Sequence, residues 1–242
     1  MTSHIFCISG PEGVGKDTLM KYLMKQFPQL IVGRKATTRQ PREDDYDDAG
    51  NSKYVYLSVE DFMRERAAGS IVEHSQNATG GYYGSYVNPS TPGIELRDLD
   101  VNGALQLFAK SMLVENFPAV HLIGILPPCL TPAGTSRLQE AQRLALLDDG
   151  QGRYWFAIAG SIIVQTEMLG ALEMRLVGRG DEETVIEQKL MRARWEIPEI
   201  LGTWPHVVIN DRLDEAADEL CGIVSDCLDE AVQIETLGHH GR

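Results

Sequence analysis

Apolar residues in this chain fall into short runs separated by longer amphipathic stretches. Residues 4–9 hold an unbroken run, Ile5-Phe6-Cys7-Ile8, of the kind that forms a strand buried on both faces. Residues 16–27 then place Leu19, Leu23 and Phe27 four apart, which predicts a helix. From 33 to 52 the period is lost among polar and charged residues, ending in the acidic stretch Glu43 to Asp48, and a loop is expected. Lys53 to Leu57 alternates like a strand, and Val59 to Ala68 reads as a helix. Ile71-Val72-Glu73 and Tyr82-Tyr83 read as short strands near glycines. Ile94 to Leu99 reads as a core strand weakened by Glu95 and Arg97. Asn102 to Leu113 is a helix, and Val120 to Leu126 a strand stopped by Pro127-Pro128. Further on, 138–147 reads as a helix and Tyr154 to Val164 as a strand or a buried helix. Helices over about 167–177 and 182–196, a strand at His206–Ile209 and a helix from Leu213 to Val232 complete the pattern. The tail from His239 to Arg242 is expected to fray. Strands alternating with helices predict an α/β fold, a parallel sheet covered by helices on both faces.

Composition narrows the functional classes. At 242 residues the chain is one large domain or a core with an inserted subdomain, and 43% apolar residues suffice for a core. A net charge of −13 argues against nucleic acid or an anionic membrane as a general partner. Any phosphate must then be held by locally placed cations, so the positions of arginines carry information. Cys7, Cys129, Cys221 and Cys227 show no metal spacing and read as reduced thiols of a cytoplasmic protein. Met1-Thr2-Ser3-His4 leads straight into the first strand, so no signal peptide is expected. The longest apolar run, Tyr154 to Val164, has 11 residues and is too short to span a bilayer.

Between the first strand and the first helix stands Gly10-Pro11-Glu12-Gly13-Val14-Gly15-Lys16-Asp17. A strand, a glycine-rich loop and a helix are the setting in which backbone N–H groups and a lysine wrap a nucleotide's phosphates. Glycine lets the backbone bend closely around a phosphate, and the helix N-terminus adds positive potential. Gly10, Gly13, Val14, Gly15, Lys16, Asp17 and Thr18 are therefore candidates for holding a nucleoside triphosphate, with Lys16 reaching the β- and γ-phosphates. The Ser or Thr usual after the lysine is replaced by Asp17, with Thr18 next. A ligand of this kind limits the chemistry largely to phosphoryl transfer or hydrolysis.

A second constellation follows. Thr37-Thr38-Arg39-Gln40-Pro41-Arg42 puts two arginines three apart, able to fork around one phosphate. Downstream come Tyr54, Glu73, Tyr82-Tyr83-Gly84-Ser85 and Asp98-Leu99-Asp100. Arg175-Leu176-Val177-Gly178-Arg179-Gly180 and Asn210-Asp211 close the series. In order and spacing these residues resemble guanylate kinase, over about 4–128 and 167–232. The resemblance implies a P-loop kinase three-layer fold with a small mixed GMP-binding subdomain and a helical lid. It divides the chain into a core of 1–32, 94–128 and 197–242, a GMP-binding part at 33–93, an insertion at 129–165 and a lid at 166–196.

The same resemblance implies transfer of a phosphoryl group from ATP to GMP. Arg39 and Arg42 would hold the phosphate of GMP, helped by Tyr54 and Tyr83, while Glu73, Ser85 and Asp100 face the guanine. A carboxylate suits that edge, because guanine offers N1–H and N2–H2 donors together and adenine does not. Arg175 and Arg179 would close from the lid onto the transferring group, Asn210 would lie near the adenine, and Asp98 near the phosphates. Mg2+ is expected to bind mainly through phosphates and water, with Asp17, Thr18 or Asp98 nearby. A monomer or homodimer is expected.

Departures from the family pattern mark where this chain is its own case. Lys35 stands where a serine helps with the base, Glu12 where a P-loop serine is common, and Lys189 where a later lid arginine is usual. The stretch from Ser85 to Asp98 is several residues short. Residues 129–165 read as a surface excursion, an interface, or sequence that the mature protein lacks, and their removal is expected to leave the fold intact. Two other functions stay open on sequence. Gly15-Lys16-Asp17 is reminiscent of kinases that phosphorylate a ribose bisphosphate, and guanylate-kinase-like binding modules lack catalysis. The arginine pair with Glu73, Ser85 and Asp100 weighs against the first; Lys16, Arg175 and Arg179 weigh against the second.

Overall fold

A computed structural model describes residues 3–42, 45–46, 52, 54–76, 80–87, 93–136, 138 and 161–239. In chain order the elements are β1 (His4–Ser9), α1 (Lys16–Gln26), β2 (Leu30–Val32), β3 (Lys35–Thr37), β4 (Tyr54–Tyr56), α2 (Val59–Ala67), β5 (Ile71–Gln76) and β6 (Tyr82–Tyr86). They continue with β7 (Ile94–Asp98), α3 (Val101–Leu113), β8 (Ala119–Leu126), α4 (Ser161–Arg179), α5 (Glu183–Thr203), β9 (His206–Ile209) and α6 (Leu213–His239). The architecture is α/β, with a parallel sheet flanked by helices, as the alternation predicted. Lys53, residues 43–44 and 47–48 of the acidic stretch, 139–147, 154–160 and the tail beyond His239 lie outside the described residues.

Two compact units share the chain: Met1–Cys7 with Pro28–His121, and Ile8–Phe27 with Leu122–Arg242. In the first, β2 pairs in parallel with β7, Leu30 opposite Ile94. Beside this lies a four-stranded mixed sheet in the order β4-β3-β6-β5, with β3 antiparallel to β6 and β6 antiparallel to β5. Its apolar side is a small core of Ala36, Phe62 and Ile71, against which Leu57, Tyr82 and Tyr86 pack. The expected loop at 33–52 is thus corrected at 35–37, where the chain forms β3. Ala36 alone of that strand points into the core; Lys35 and Thr37 point to the other side, so the strand carries no apolar run to read.

Arg97, which weakened the reading of β7, is fully buried and satisfied. Its Nε donates to Glu95 Oε2 at 2.9 Å, and its Nη2 to the same oxygen and to the Tyr86 carbonyl. A buried charge is tolerated on those terms, with a partner and hydrogen bonds.

The second unit holds the glycine-rich loop, α1, α4, α5, β9 and α6, with β8 pairing in parallel to β9 from Ile123 opposite His206. Helix α4 starts at Ser161, six residues before the pattern placed it. The reason is a stripe four residues apart, Val164, Met168, Leu172 and Leu176, each at most 2% exposed. Helix α5 also outruns its expected end at 196, continuing through Pro198 to Thr203. Ile197 and Ile200 are fully buried, and a Cβ at Gly124 of β8 would meet Ile200 Cγ2 at 2.2 Å. That close strand–helix packing offsets the lost N–H of an interior proline. Among the described residues no helix is long and apolar enough to cross a membrane.

Candidate active site

The glycine-rich loop is shaped by close approaches. A Cβ at Gly10, whose φ is +151°, would lie 2.0 Å from the Ile125 carbonyl oxygen, so only glycine lets β1 turn against β8 there. Gly15, at φ +97°, caps the N-terminus of α1 in the left-handed region. Lys16 turns back over the loop and donates from Nζ to the Gly10 carbonyl at 2.7 Å and the Pro11 carbonyl at 3.0 Å. Asp17 and Thr18 are exposed in the first turn of the helix.

Two side chains from elsewhere in this unit hold the loop. Asn210 is 7% exposed, and its Nδ2 donates to the Val14 carbonyl at 2.7 Å. Arg175 of α4 donates from Nη1 to the same carbonyl at 3.4 Å and from Nη2 to the Asn210 carbonyl at 2.5 Å. Burial pushes the Arg175 guanidinium below its usual value, against the pull of Asp211. Asn210, expected near an adenine, thus spends its amide on the loop, and Arg175, expected to close onto a transferring group, donates to the loop's Val14 carbonyl.

Arg179 lies at the end of α4, 54% exposed at its side chain, and forks onto Asp181 through Nε at 2.9 Å and Nη2 at 2.5 Å. Lys189 Nζ donates to the same carboxylate at 2.7 Å. Arg179 first, and then Lys189, hold the Asp181 carboxyl well below the usual carboxylate range. Glu12 of the loop faces α5, 3.7 Å from Lys189 and 3.8 Å from Arg192. Sequence reasoning noted Glu12 and Lys189 separately as departures; the fold makes them neighbours.

The other constellation lies in the first unit. Register places Lys35 opposite Ser85 on β3 and β6, and Ser85 opposite Glu73 on β6 and β5, so the three side chains stand side by side on one face. Ser85 is fully buried and donates from Oγ to Glu73 Oε1 at 2.6 Å. Glu73 is 4% exposed; burial pushes its carboxyl up, with Ser85 opposing and Asp100 adding to the rise. A Cβ at Gly103 would come within 2.6 Å of Glu73 Oε2, so the first turn of α3 packs closely on that carboxylate at a bare position. Gln106 of α3 clips the backbone of the neighbouring His74, accepting from its N–H at 3.2 Å and donating to its carbonyl at 3.1 Å. Asp100 caps α3, its Oδ1 accepting from Gly103 N at 2.8 Å. Lys35 Nζ donates to the Asp98 carbonyl and lies 3.8 Å from Asp98 Oδ2.

The two threonines before Arg39 staple the strand to β6. Thr37 Oγ1 donates to the Tyr82 carbonyl at 2.9 Å, and Thr38 Oγ1 accepts from Tyr82 N at 2.9 Å. Arg39 then lies over the Tyr54 ring, 5.1 Å from its centroid, and Tyr54 meets Tyr83 edge-on at 6.2 Å. The Arg39 fork closes on Asp45, Nη1 donating to Oδ2 at 2.6 Å and Nη2 to Oδ1. Asp45 was one of a run of acidic residues, and nothing in that run singled it out. The Arg42 side chain is exposed, while its backbone N–H donates to Asp45 Oδ2 at 2.8 Å. Glu73, Ser85, Asp100, Lys35 and Asp98 form one group in this unit, and Arg39, Tyr54 and Tyr83 another. Lys16, Arg175 and Asn210 form a third in the second unit.

Comparison with known proteins bears on what these groups do. The family model described as Guanylate kinase matches residues 2–91. The guanylate kinase of Gloeobacter violaceus is 30% identical over 225 residues, covering 89% of this chain and 84% of its own. That of Parasynechococcus marenigrum is 32% identical over 218 residues, covering 90% of this chain and 95% of its own. A crystal structure of guanylate kinase from Anaplasma phagocytophilum shares the fold, with a TM-score of 0.53 at 19% identity, over 93% of this chain and 86% of that one.

Proposed function

Because the chain belongs to the guanylate kinase family, we propose that its own residues divide the transfer of a phosphoryl group from ATP to GMP between the groups described above. The activity is ATP-dependent phosphorylation of GMP, giving GDP and ADP. The observation that carries the assignment of the acceptor site is the buried Ser85–Glu73 pair, with Lys35 on one side and the first turn of α3 on the other. Glu73 and Asp100 accept from guanine N1–H and N2–H2. Arg39 and Arg42 hold the acceptor's phosphate, beside Tyr54 and Tyr83. Lys16 and the loop N–H groups hold the β- and γ-phosphates, with Val14 fixed by Asn210. Arg175 and Arg179 neutralise charge on the equatorial oxygens as the phosphoryl group moves. Such a transfer needs alignment, charge neutralisation and exclusion of water more than covalent help.

A divalent cation fits the donor set. Asp17 and Thr18 put one carboxylate and one hydroxyl at the first turn of α1, the oxygen donors that Mg2+ takes beside phosphate and water. When bound, the ion neutralises charge between the β- and γ-phosphates. Asp98 is the second carboxylate proposed near the phosphates. Four free thiols suit a reducing, cytoplasmic setting.

Calorimetry with GMP, AMP and a ribose bisphosphate tests the acceptor assignment. GMP should bind at least ~10²-fold tighter than AMP, because buried acceptors left without their donors are costly. Ribose bisphosphate binding ahead of GMP would overturn it.

Acidity supplies a further expectation. Burial raises the folded Glu73 value above the ordinary 4.5, so the folded state holds that proton more tightly than the unfolded chain. Glu73 therefore takes stability away as pH rises through the window above 4.5, and it serves as an acceptor only once ionised. The kcat/KM for GMP should show an acid limb above pH 4.5 that Glu73→Gln abolishes, while the KM for ATP stays flat through it. A limb that survives in Glu73→Gln belongs to another group.

The domain division remains as proposed, with one refinement at 129–165. Thr131 donates to Glu167 from N at 3.1 Å and from Oγ1 at 2.9 Å, and Leu138 and Val164 are each 2% exposed. Deleting 129–165 removes all three. Deleting 141–158 removes none, and lengthening or shortening a connection costs only about 0.6 kcal/mol per doubling. The shorter deletion should keep GMP kinase activity and melt several degrees above the longer one. Equal melting temperatures would show that those contacts add nothing.

A further inference from the structure

Arg39 carries more donors than its neighbours use. A guanidinium presents five N–H groups in one plane, along two usable edges. The Nη1–Nη2 edge is closed by Asp45, and Nη1 also donates to the Gln40 carbonyl at 2.9 Å. The Nε is buried and finds no hydrogen-bond partner among the described residues. The Tyr54 ring beneath it fixes the plane. Asp45 is itself fixed, 3% exposed, accepting at Oδ2 from the Arg42 N–H at 2.8 Å and from the Tyr56 hydroxyl at 2.7 Å. A carboxylate held at that many points does not swing aside when another anion arrives. It acts as a brace that turns the second edge of Arg39, with its unsatisfied Nε–H, toward an incoming acceptor.

We propose that Asp45 is a positioning residue for the acceptor phosphate, holding Arg39 by one edge so that the Nε edge meets the phosphate oxygens, with Tyr56 setting the carboxylate. This rests on the reading that Arg39 binds the phosphate of GMP. The charge of Asp45 works against it, because a carboxylate beside a phosphate repels it. The two effects therefore predict opposite signs on removing that charge. The observed fork, stack and orphaned Nε favour positioning. Arg39 bound to Asp45 is also held in its charged form more firmly than usual, chiefly by that hydrogen bond.

The test compares GMP with guanosine, which lacks the phosphate, by calorimetry and by displacement on the full chain. In Asp45→Asn the amide end faces an Arg39 N–H and breaks the fork while keeping the shape. GMP affinity should fall about tenfold or more, the size of a lost charge-assisted bond, with guanosine affinity and the KM for ATP unchanged. Tyr56→Phe removes only the hydroxyl that anchors Asp45, and should shift GMP affinity in the same direction by a smaller factor. It serves if Asp45→Asn fails to fold. GMP binding that is unchanged or tighter, or guanosine binding that falls equally, would overturn the proposal. Arg39→Lys separates the two layers. If it leaves GMP affinity intact, the assignment of Arg39 to the phosphate fails. If GMP affinity needs Arg39 but ignores Asp45 and Tyr56, only the positioning role fails.

Discussion

Lys16→Ala should lower kcat by about 10²-fold or more while leaving the melting temperature close to that of the parent. The two halves of that expectation have separate causes. Lys16 is only part-buried, and its bonds in the free loop are to the Gly10 and Pro11 carbonyls, which water can serve in its absence. Little stability is lost when a half-exposed donor is removed from bonds that are themselves only part-buried. On the proposed assignment the ammonium matters when it leaves those carbonyls for the β- and γ-phosphates, where charge grows as the phosphoryl group moves. Arginine cannot stand in, because its planar fork is broader than the compact ammonium that the turn at Gly10 admits. Steady-state kinetics with a thermal melt checks both halves. A Lys16→Ala variant that melts far below the parent would mean that the lysine chiefly closes the loop. One that keeps its kcat would move the catalytic cation elsewhere.

The second large effect concerns base choice. Glu73→Gln should reduce kcat/KM for GMP by about 10²-fold, change that for AMP little, and leave the KM for ATP as it was. The carboxylate is 4% exposed and gives one oxygen to Ser85, which leaves its other oxygen for the proposed contact with guanine N1–H or N2–H2. A glutamine keeps the shape but brings an N–H2 that opposes guanine's own donors. On the proposed assignment adenine does not use that acceptor, so any turnover of AMP has less to lose. Asp100→Asn should erode the same preference, with some loss of stability because Oδ1 caps α3. Lys35 makes this pocket unusual. A serine hydroxyl turns either way, donor or acceptor, whereas an ammonium only donates. If the parent accepts AMP as readily as GMP, Lys35→Ser is the variant to measure next.

How much was legible follows from which residues carry packing and which carry chemistry. Strands β1 and β8 are buried along nearly their whole length, and their apolar runs announced them. Helix α4 was legible in its second half only, because the stripe from Val164 began inside a segment of unclear period. Strand β3 was hidden because a site strand turns polar side chains, Lys35 and Thr37, to its working face and leaves only Ala36 for the core. Arg97 looked like a flaw in β7 because no sequence pattern shows that Glu95 and the Tyr86 carbonyl receive it. The arginines of the candidate site stood out by spacing; their partners did not. Asp45 is six residues from Arg39, Asp181 two from Arg179, and Asn210 far along the chain from Val14. Short-range pairs of that kind depend on turns that polar sequence leaves undetermined, and the long-range one depends on the whole fold.

The most direct measurement of the central claim is release of ADP from ATP, followed by a coupled assay on the purified full-length chain with GMP added or withheld. The account predicts ADP release that depends on GMP and on a divalent cation, with a matching yield of GDP. Correctly folded protein that releases no ADP in response to GMP would contradict it.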